Sequence, residues 1–310
     1  MQAAAAAAAG AQAYPAASLY VVATPIGNLA DLTLRAIHVL SIVDAIACED
    51  TRHSAPLLRH LGIDKPLLPV HEHNERDAAA GVLSRLSAGE RIAYISDAGT
   101  PAISDPGAAL VAAARAAGYR CVPVPGASSV VTALSVSGDA NGSGFSFAGF
   151  LSTKAAERVA QLELIAARSE AQVLFEAPHR IESLAKALGE ACPGRIVTLC
   201  RELTKQFETI ATMPAPSLSA WLREESNRTR GEFVIVLHAR VAASASAEGE
   251  SAEEDRTLRC LMAALPLKQA VALAAELTRA PRNRLYQRAL ALKGAGGDDM
   301  ENEATPTIDT

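Results

Sequence analysis

RIAYISDAGTPAISDPGAALVAAARAAGYRCVPV (91–124) is the stretch that decides the architecture. Residues 91–96 form a short β-rich run, 108–117 repeat apolar residues at helical spacing, and 120–124 return to strand character. Strand, helix and strand in that order read as a βαβ unit, whose two strands lie parallel in one sheet. Between the first strand and the helix, SDAGTPAISDPG (96–107) holds two Asp, two Gly and two Pro in twelve residues. Ligands of open α/β sheets bind at the carboxyl ends of strands, so this loop lies where a small molecule sits.

The same rhythm extends upstream. Residues 19–23, 45–48 and 67–70 read as strands, and 31–41 and 76–88 as helices, which predicts a parallel sheet with helices on both faces. A Gly/Ser-rich stretch, 138–144, interrupts the pattern. Beyond it come strands at 145–148, 172–176, 195–200, 206–211 and 231–239, with helices at 154–167 and 181–188. Only 201–205 separate two of those strands, too few for a parallel crossover of about a dozen residues, so they pair antiparallel and the second sheet is mixed. The expected organisation is a disordered extension (1–17), a parallel-sheet α/β domain (18–126) and a mixed-sheet α/β domain (127–240). An acidic linker (241–255), a basic helical module (256–293) and an acidic tail (294–310) follow.

Composition narrows the class. With 310 residues, 49% hydrophobic and 20% charged, the chain is neither disordered nor fibrous. Its five Cys are scattered and never spaced as CxxC, which excludes a disulfide scaffold and favours a reducing, cytoplasmic setting. The Ala-rich start lacks the basic and Leu-rich parts of a signal peptide, and no apolar run reaches the roughly 18 residues of a membrane span. A net charge of -5 argues against a nucleic-acid partner, but the charge is uneven. Residues 256–293 carry eight Lys+Arg and one Glu, whereas 248–255 and 298–310 carry five acidic residues each. Local basic patches set the attraction to phosphate. The module reads as a helix, a break at 278–281 and a second helix, which is helix-turn-helix spacing, with Lys268, Arg279, Arg282 and Arg284 as its RNA contacts. A small bundle that caps the fold is the alternative.

Five more loops follow strands. ATPIGNLADLTLRA (23–36) breaks at Pro25 and Gly27; neither it nor 96–107 is a GxGxxG or a GK[ST] loop, which disfavours dinucleotides and nucleoside triphosphates. PVPGASSVVTAL (123–134) offers Ser128 or Ser129 as a helix cap and leaves the other serine to a ligand. CEDTRH (48–53) puts Glu49, Asp50, Arg52 and His53 on the ligand side, where a local ion pair is the plainer explanation. FEAPHR (175–180) and RELTK (201–205) end strands with charged groups that face either a cleft or solvent. In HEHNER (71–76), His71 and His73 lack a third ligand at a usable spacing, so no metal site is expected.

Together TPIGNLADLTLRA, EDTR, HEHNE, SDAGTPAISDPG, PGASS, FAGFL with Lys154, FEAPHR, RELTK and RGE (230–232), in this order, resemble the small-subunit rRNA methyltransferase branch of the tetrapyrrole methylase superfamily. The resemblance implies S-adenosyl-L-methionine bound between two α/β domains, and 2'-O-methylation of a cytidine ribose in the decoding region of 16S rRNA within the 30S subunit. It also implies a homodimer. Carried over position by position, it puts Asp97, Ala98, Gly99, Ile103, Ser104 and Asp105 at the cofactor, with Pro25, Ser128, Leu151, Glu176, Arg201, Glu202 and Leu203. GDANGSG (138–144) and FAGFLST (147–153) depart from the usual family pattern on the substrate side. Methylation of a small tetrapyrrole or a protein side chain, and a non-catalytic RNA-binding role on the same fold, are the competing readings.

Methyl transfer from a sulfonium is an in-line displacement, to which alignment contributes much of the rate. A ribose hydroxyl loses its proton on attack, so a group must accept it. Glu49, Asp50, Lys154 and Glu202 are the sequence candidates, with Arg52, Arg180 and Lys205 on RNA phosphate, because all lie in motif loops at strand ends.

Overall fold

The computed structural model describes residues 1–71, 75–142, 144–240, 247–278 and 280–295. Its first layer is built by α1 (Gln2–Ala9), β1 (Ser18–Val22), α2 (Leu34–Ile42), β2 (Ala45–Cys48), α3 (Thr51–His60), β3 (Leu67–Pro69), α4 (Glu75–Ser87), β4 (Arg91–Ile95), α5 (Ala108–Ala116) and β5 (Arg120–Val124). The strands run in the order β3-β2-β4-β1-β5, all parallel. Side chains alternate across the pleat: Leu19, Ile92 and Tyr94 face one core, and Tyr20, Ala93 and Ile95 face the other. Both faces are apolar because helices cover both, as the uninterrupted hydrophobic strands predict.

Then come α6 (Ser129–Ser137), β6 (Phe145–Phe150), α7 (Ala155–Ala167), β7 (Ala171–Glu176), α8 (Ile181–Ala191), β8 (Ile196–Arg201), β9 (Thr209–Pro214), α9 (Leu218–Glu224) and β10 (Phe233–Leu237). The second sheet, β6-β7-β10-β8-β9, is mixed as expected: β6 and β7 are parallel, and β8 and β9 antiparallel. One face packs on Leu162, Leu184 and Leu218 of its helices; the other meets Val130 and Ala133 of α6 and Ile26 from the loop after β1. Residues 1–240 form one compact unit.

Several local expectations change. The Ala run is a helix, with Ala5 and Ala9 buried, and Gln2 Nε2 donates to the carbonyls of Leu61 (2.9 Å) and Gly62 (2.7 Å). Alanine has the highest helix propensity and no side-chain entropy to lose, so a small amount of packing suffices to order it. Helix α3 was not evident because TRHSAPLLRH is polar except for one stripe, of which Leu58 is buried. Strand β9 starts at Thr209 instead of 206 because RELTK folds into a turn, in which Glu208 Oε2 accepts from Thr204 N at 2.6 Å.

The second compact unit holds α10 (Ala247–Met262), α11 (Leu267–Thr278) and α12 (Arg282–Ala295) around Leu258, Val271, Ala274, Leu285 and Ala289. The acidic segment expected to be linker is helical from Ala247 onward. Its carboxylates are used: Glu254 pairs with Arg284, and Asp255 with Arg288 at 2.5 Å. Residues 241–246, Arg279 and the tail from 296 lie outside the described residues.

Candidate functional site

Because the first sheet is parallel, the loops after β1, β2, β4 and β5 emerge on one edge. Backbone bonds stitch two of them together: Thr24 N to Gly99 O (2.9 Å) and Gly99 N to Thr24 O (3.1 Å). Thr100 Oγ1 adds a bond to Ala127 O of the PGASS turn at 3.1 Å. The loop after β4 is held in a costly conformation, with Ala102 and Ser104 both at φ 67. Gly107 is needed outright: at φ +123, a Cβ there would lie 2.2 Å from Tyr94 Cε1. RELTK is strained likewise, with Glu202 at φ 53 and Thr204 at φ 65.

These loops enclose a cavity of about 330 Å³. Ala98, Gly99, Ile103, Ser104, Asp105 and Ser128 line it from the first sheet's side, and Glu176 and Leu203 from the second's. Ser128 occupies the N-cap position of α6 without making a side-chain cap bond, so its hydroxyl is not consumed by the helix. The walls that sequence reasoning missed are largely apolar: Ile26, Val130, Phe150, Phe175, Phe233 and Val234. Strand alternation explains one of these: Leu151, named from the motif, faces the helix-side core, and its neighbour Phe150 faces the cavity. Phe175 and Glu176, consecutive at the end of β7, both reach the cavity.

The charged groups lining this apolar space are all anionic. Glu176 has a fully buried side chain; Oε1 accepts from Ala177 N (2.9 Å) and lies 3.1 Å from Arg180 Nε, an ion-pair distance without hydrogen-bond alignment. Its Oε2 is buried and has no hydrogen-bond partner among the described residues. Burial pushes the Asp105 carboxyl above its ordinary range. Glu232 completes the set. An apolar cavity with an unsatisfied carboxylate oxygen suits a flat apolar ligand that carries positive charge.

A second, polar cavity of about 420 Å³ lies beside β2, β3 and β4, lined by Glu49, Asp50, Thr51, Arg52, Pro69, His71 and Asp97. Asp97 faces this cavity and does not line the apolar one. Its Oδ2 is 2.9 Å from His53 Nδ1, and its Oδ1 accepts from Asp50 N at 3.2 Å. Asp50 caps α3, accepting from Arg52 N at 2.8 Å, and is gripped by the Arg52 guanidinium at 2.6 Å. That side-chain bond from Arg52 pulls the Asp50 carboxyl down to about 2. Burial raises Glu49, and the charges of Asp105 and Asp97 add to the effect, so Glu49 senses both cavities.

Other sequence candidates sit apart. Lys154 is exposed, pairs with Glu157 at 2.9 Å and lines neither cavity. Glu202 is a clasp: Oε1 accepts from Lys205 Nζ and Glu232 N, both at 2.9 Å. Burial opposes ionisation of Glu202, but those bonds outweigh it and hold the carboxyl below its usual range. Lys205 is thereby tied to Glu202 and Glu232. Arg180 is only 15% exposed and donates to Leu151 O at 2.6 Å, so it positions Glu176 and is not open to phosphate. Arg201 donates to Arg230 O at 2.6 Å, and Pro25 yields its place to Ile26. Arg52, at 87% side-chain exposure, and the exposed Lys268 and Arg282 remain accessible; Arg284 is engaged by Glu254. No cluster of three metal-ligating side chains occurs among the described residues, and His73 lies outside them.

Residues 18–219 match the model of the Tetrapyrrole (Corrin/Porphyrin) Methylases, and 248–293 match the RsmI C-terminal HTH domain. The chain is 48% identical to the ribosomal RNA small subunit methyltransferase I of Pseudomonas aeruginosa over 283 residues, covering 90% of this chain and 99% of that one. It is 47% identical to the Vibrio cholerae protein of the same name, covering 87% and 93%. Among solved structures, cobalt precorrin-4 methyltransferase shares the fold with a TM-score of 0.55 at 16% identity, covering 72% of this chain and 95% of that one. Uroporphyrin-III-C-methyltransferase of Thermus thermophilus does so with a TM-score of 0.52 at 21%, covering 72% and 94%. With the relatives aligned along almost their whole length and both compact units matched by family models, this protein belongs to the ribosomal RNA small subunit methyltransferase I family of tetrapyrrole methylases.

Proposed function

We propose that the protein transfers a methyl group from S-adenosyl-L-methionine to the 2'-oxygen of a cytidine ribose in the decoding region of 16S rRNA. The observation that carries the cofactor half is the apolar cavity with the unpartnered, buried Glu176 Oε2. S-adenosylmethionine joins a flat adenine to cationic sulfonium and ammonium groups, and supplies an electrophilic methyl when bound. Ile26 and Phe175 would hold its apolar parts, and Asp105 and Glu176 its charge. The RNA half rests on family membership and on the C-terminal unit, where Lys268 and Arg282 stay exposed to meet phosphate. A 30S substrate, a homodimer and a cytoplasmic location belong to the same proposal; no helix among the described residues is long and apolar enough to cross a membrane.

Incubation with methyl-labelled cofactor and undermethylated 30S subunits, followed by mapping of the modified nucleotide, tests it. One labelled cytidine, resistant to alkali at its 3' linkage because its 2'-oxygen is methylated, is the expected result. Label on a base, on protein, or nowhere in the particle refutes it.

A further inference from the structure

Of the four side chains that sequence reasoning offered as proton acceptor, the geometry disqualifies three. Asp50 is committed to Arg52 and to the first turn of α3, Lys154 is paired with Glu157, and Glu202 is a clasp between two loops. The same edge of the sheet holds a group outside that set. His53, in the first turn of α3, has a side chain 70% exposed, with Nδ1 2.9 Å from Asp97 Oδ2. Nε2 makes no hydrogen bond to the described residues. Asp97 is itself fixed, because its other oxygen accepts from Asp50 N. It also stands between the two cavities: its side chain lines the polar one, and the next residue, Ala98, lines the apolar one.

We propose that His53 is the proton acceptor of the methyl transfer and that Asp97 is its positioning residue, an inference that rests on the function proposed above. The carboxylate of Asp97 accepts from Nδ1–H, which fixes the tautomer with the lone pair on Nε2. As the ribose 2'-oxygen forms its bond to the methyl carbon, the carbon–sulfur bond breaks and its electron pair stays on sulfur. The 2'-hydroxyl proton passes to Nε2. The resulting imidazolium is stabilised by Asp97 at 2.9 Å and by Asp50 Oδ2 at 3.8 Å. A base oriented by a buried or fixed carboxylate in this way recurs on unrelated folds and is recognised by geometry, not by sequence position. Exposure fits the task, since the acceptor must meet a hydroxyl on a large substrate that arrives from solvent. The other charged groups around it are Arg52, which follows Asp50 on the same turn, and Glu49 and His71 on the walls of the polar cavity.

Two variants and two readouts test the assignment. His53→Gln is expected to lower the methylation rate constant about 10²- to 10⁴-fold, the span of general base catalysis. Its cofactor and 30S affinities, measured by calorimetry and filter binding, should stay within about threefold, since an affinity change of that size is under 1 kcal/mol. Asp97→Asn should lower the rate less than His53→Gln, with cofactor and 30S affinities again within about threefold. Independently of activity, two-bond ¹H–¹⁵N spectra of the wild-type protein at alkaline pH should show His53 protonated at Nδ1, with that preference lost in Asp97→Asn. A His53→Gln enzyme that keeps more than a third of wild-type turnover, or a wild-type His53 protonated at Nε2, overturns the proposal. Wild-type protein that transfers nothing to 30S subunits refutes the function beneath it, and with it the dyad; the spectra separate that failure from an error in the geometry.

Discussion

The two neighbouring cavities are built on opposite terms. The apolar one is walled from both sheets, its loops are locked in left-handed backbone, and the ion pair of its Glu176 with Arg180 is largely out of solvent. The polar one lies at the edge of the first sheet, and its ion pair, Arg52 with Asp50, faces water. Preorganised walls suit a small cofactor that must be held in one pose. Exposed, adjustable charges suit a large polyanion whose own shape does part of the positioning.

Substitutions should expose that contrast. The largest effect is expected for Gly107→Ala, because the new Cβ would lie 2.2 Å from the fully buried Tyr94 ring and the backbone sits at φ +123. Overpacking together with backbone strain should cost about 3 kcal/mol or more in denaturant unfolding. A cost below about 1 kcal/mol would mean that the loop relaxes freely, and the contrast with the polar cavity would fail. Next is Arg180→Met, which leaves the buried Glu176 carboxylate without its cation and should cost about 3 kcal/mol. Arg52→Met, at a solvent-facing pair, should barely move the unfolding midpoint but weaken 30S binding.

Asp105→Asn acts in two directions. The folded protein raises this carboxyl above its unfolded value, so its ionised form opposes folding at neutral pH and the opposition vanishes once pH falls below the unfolded value. The variant should therefore melt higher than wild type at pH 7 and equally at pH 3, while binding S-adenosylmethionine about 10-fold or more weakly, as loss of a charged hydrogen bond implies. A lower melting temperature at pH 7 would place the stability role of Asp105 elsewhere. The smallest effect belongs to Asp50, whose depressed carboxyl contributes stability above its ordinary 3.8 and loses it as pH falls through about 2. An acid titration of Asp50→Asn should lack that component and otherwise overlay wild type.

Most of the fold was legible. The alternation of strand and helix carried the parallel sheet, and the five-residue gap at RELTK carried the antiparallel pair in the second. The errors have local causes. An Ala run has no polar–apolar period, so only its contact with the body shows that it is ordered. The acidic 248–255 segment resembles linker until its partners on α12, 30 and 33 positions further along, come into view. The family motif put Leu151 at the cofactor, whereas its neighbour Phe150 lines the cavity and Leu151 packs in the helix-side core.

Sequence alone determined the order of elements, the loops at the strand ends and the family, because these depend on local periodicity and on motifs read along the chain. Asp50 is held locally by Arg52, but that Glu202 and Arg180 are not free was decided by tertiary structure, through Glu232 N and Leu151 O. Asp50, Glu202, Arg180 and Lys205 are chemically able to do what their motifs suggested, yet each is claimed by a neighbour. His53 and Asp97, separated by 44 positions, meet only because β2 and β4 are adjacent and parallel, which brings the loops at their carboxyl ends side by side. A hydrogen bond between distant segments is set by sheet order, and sheet order is a property of the packed chain.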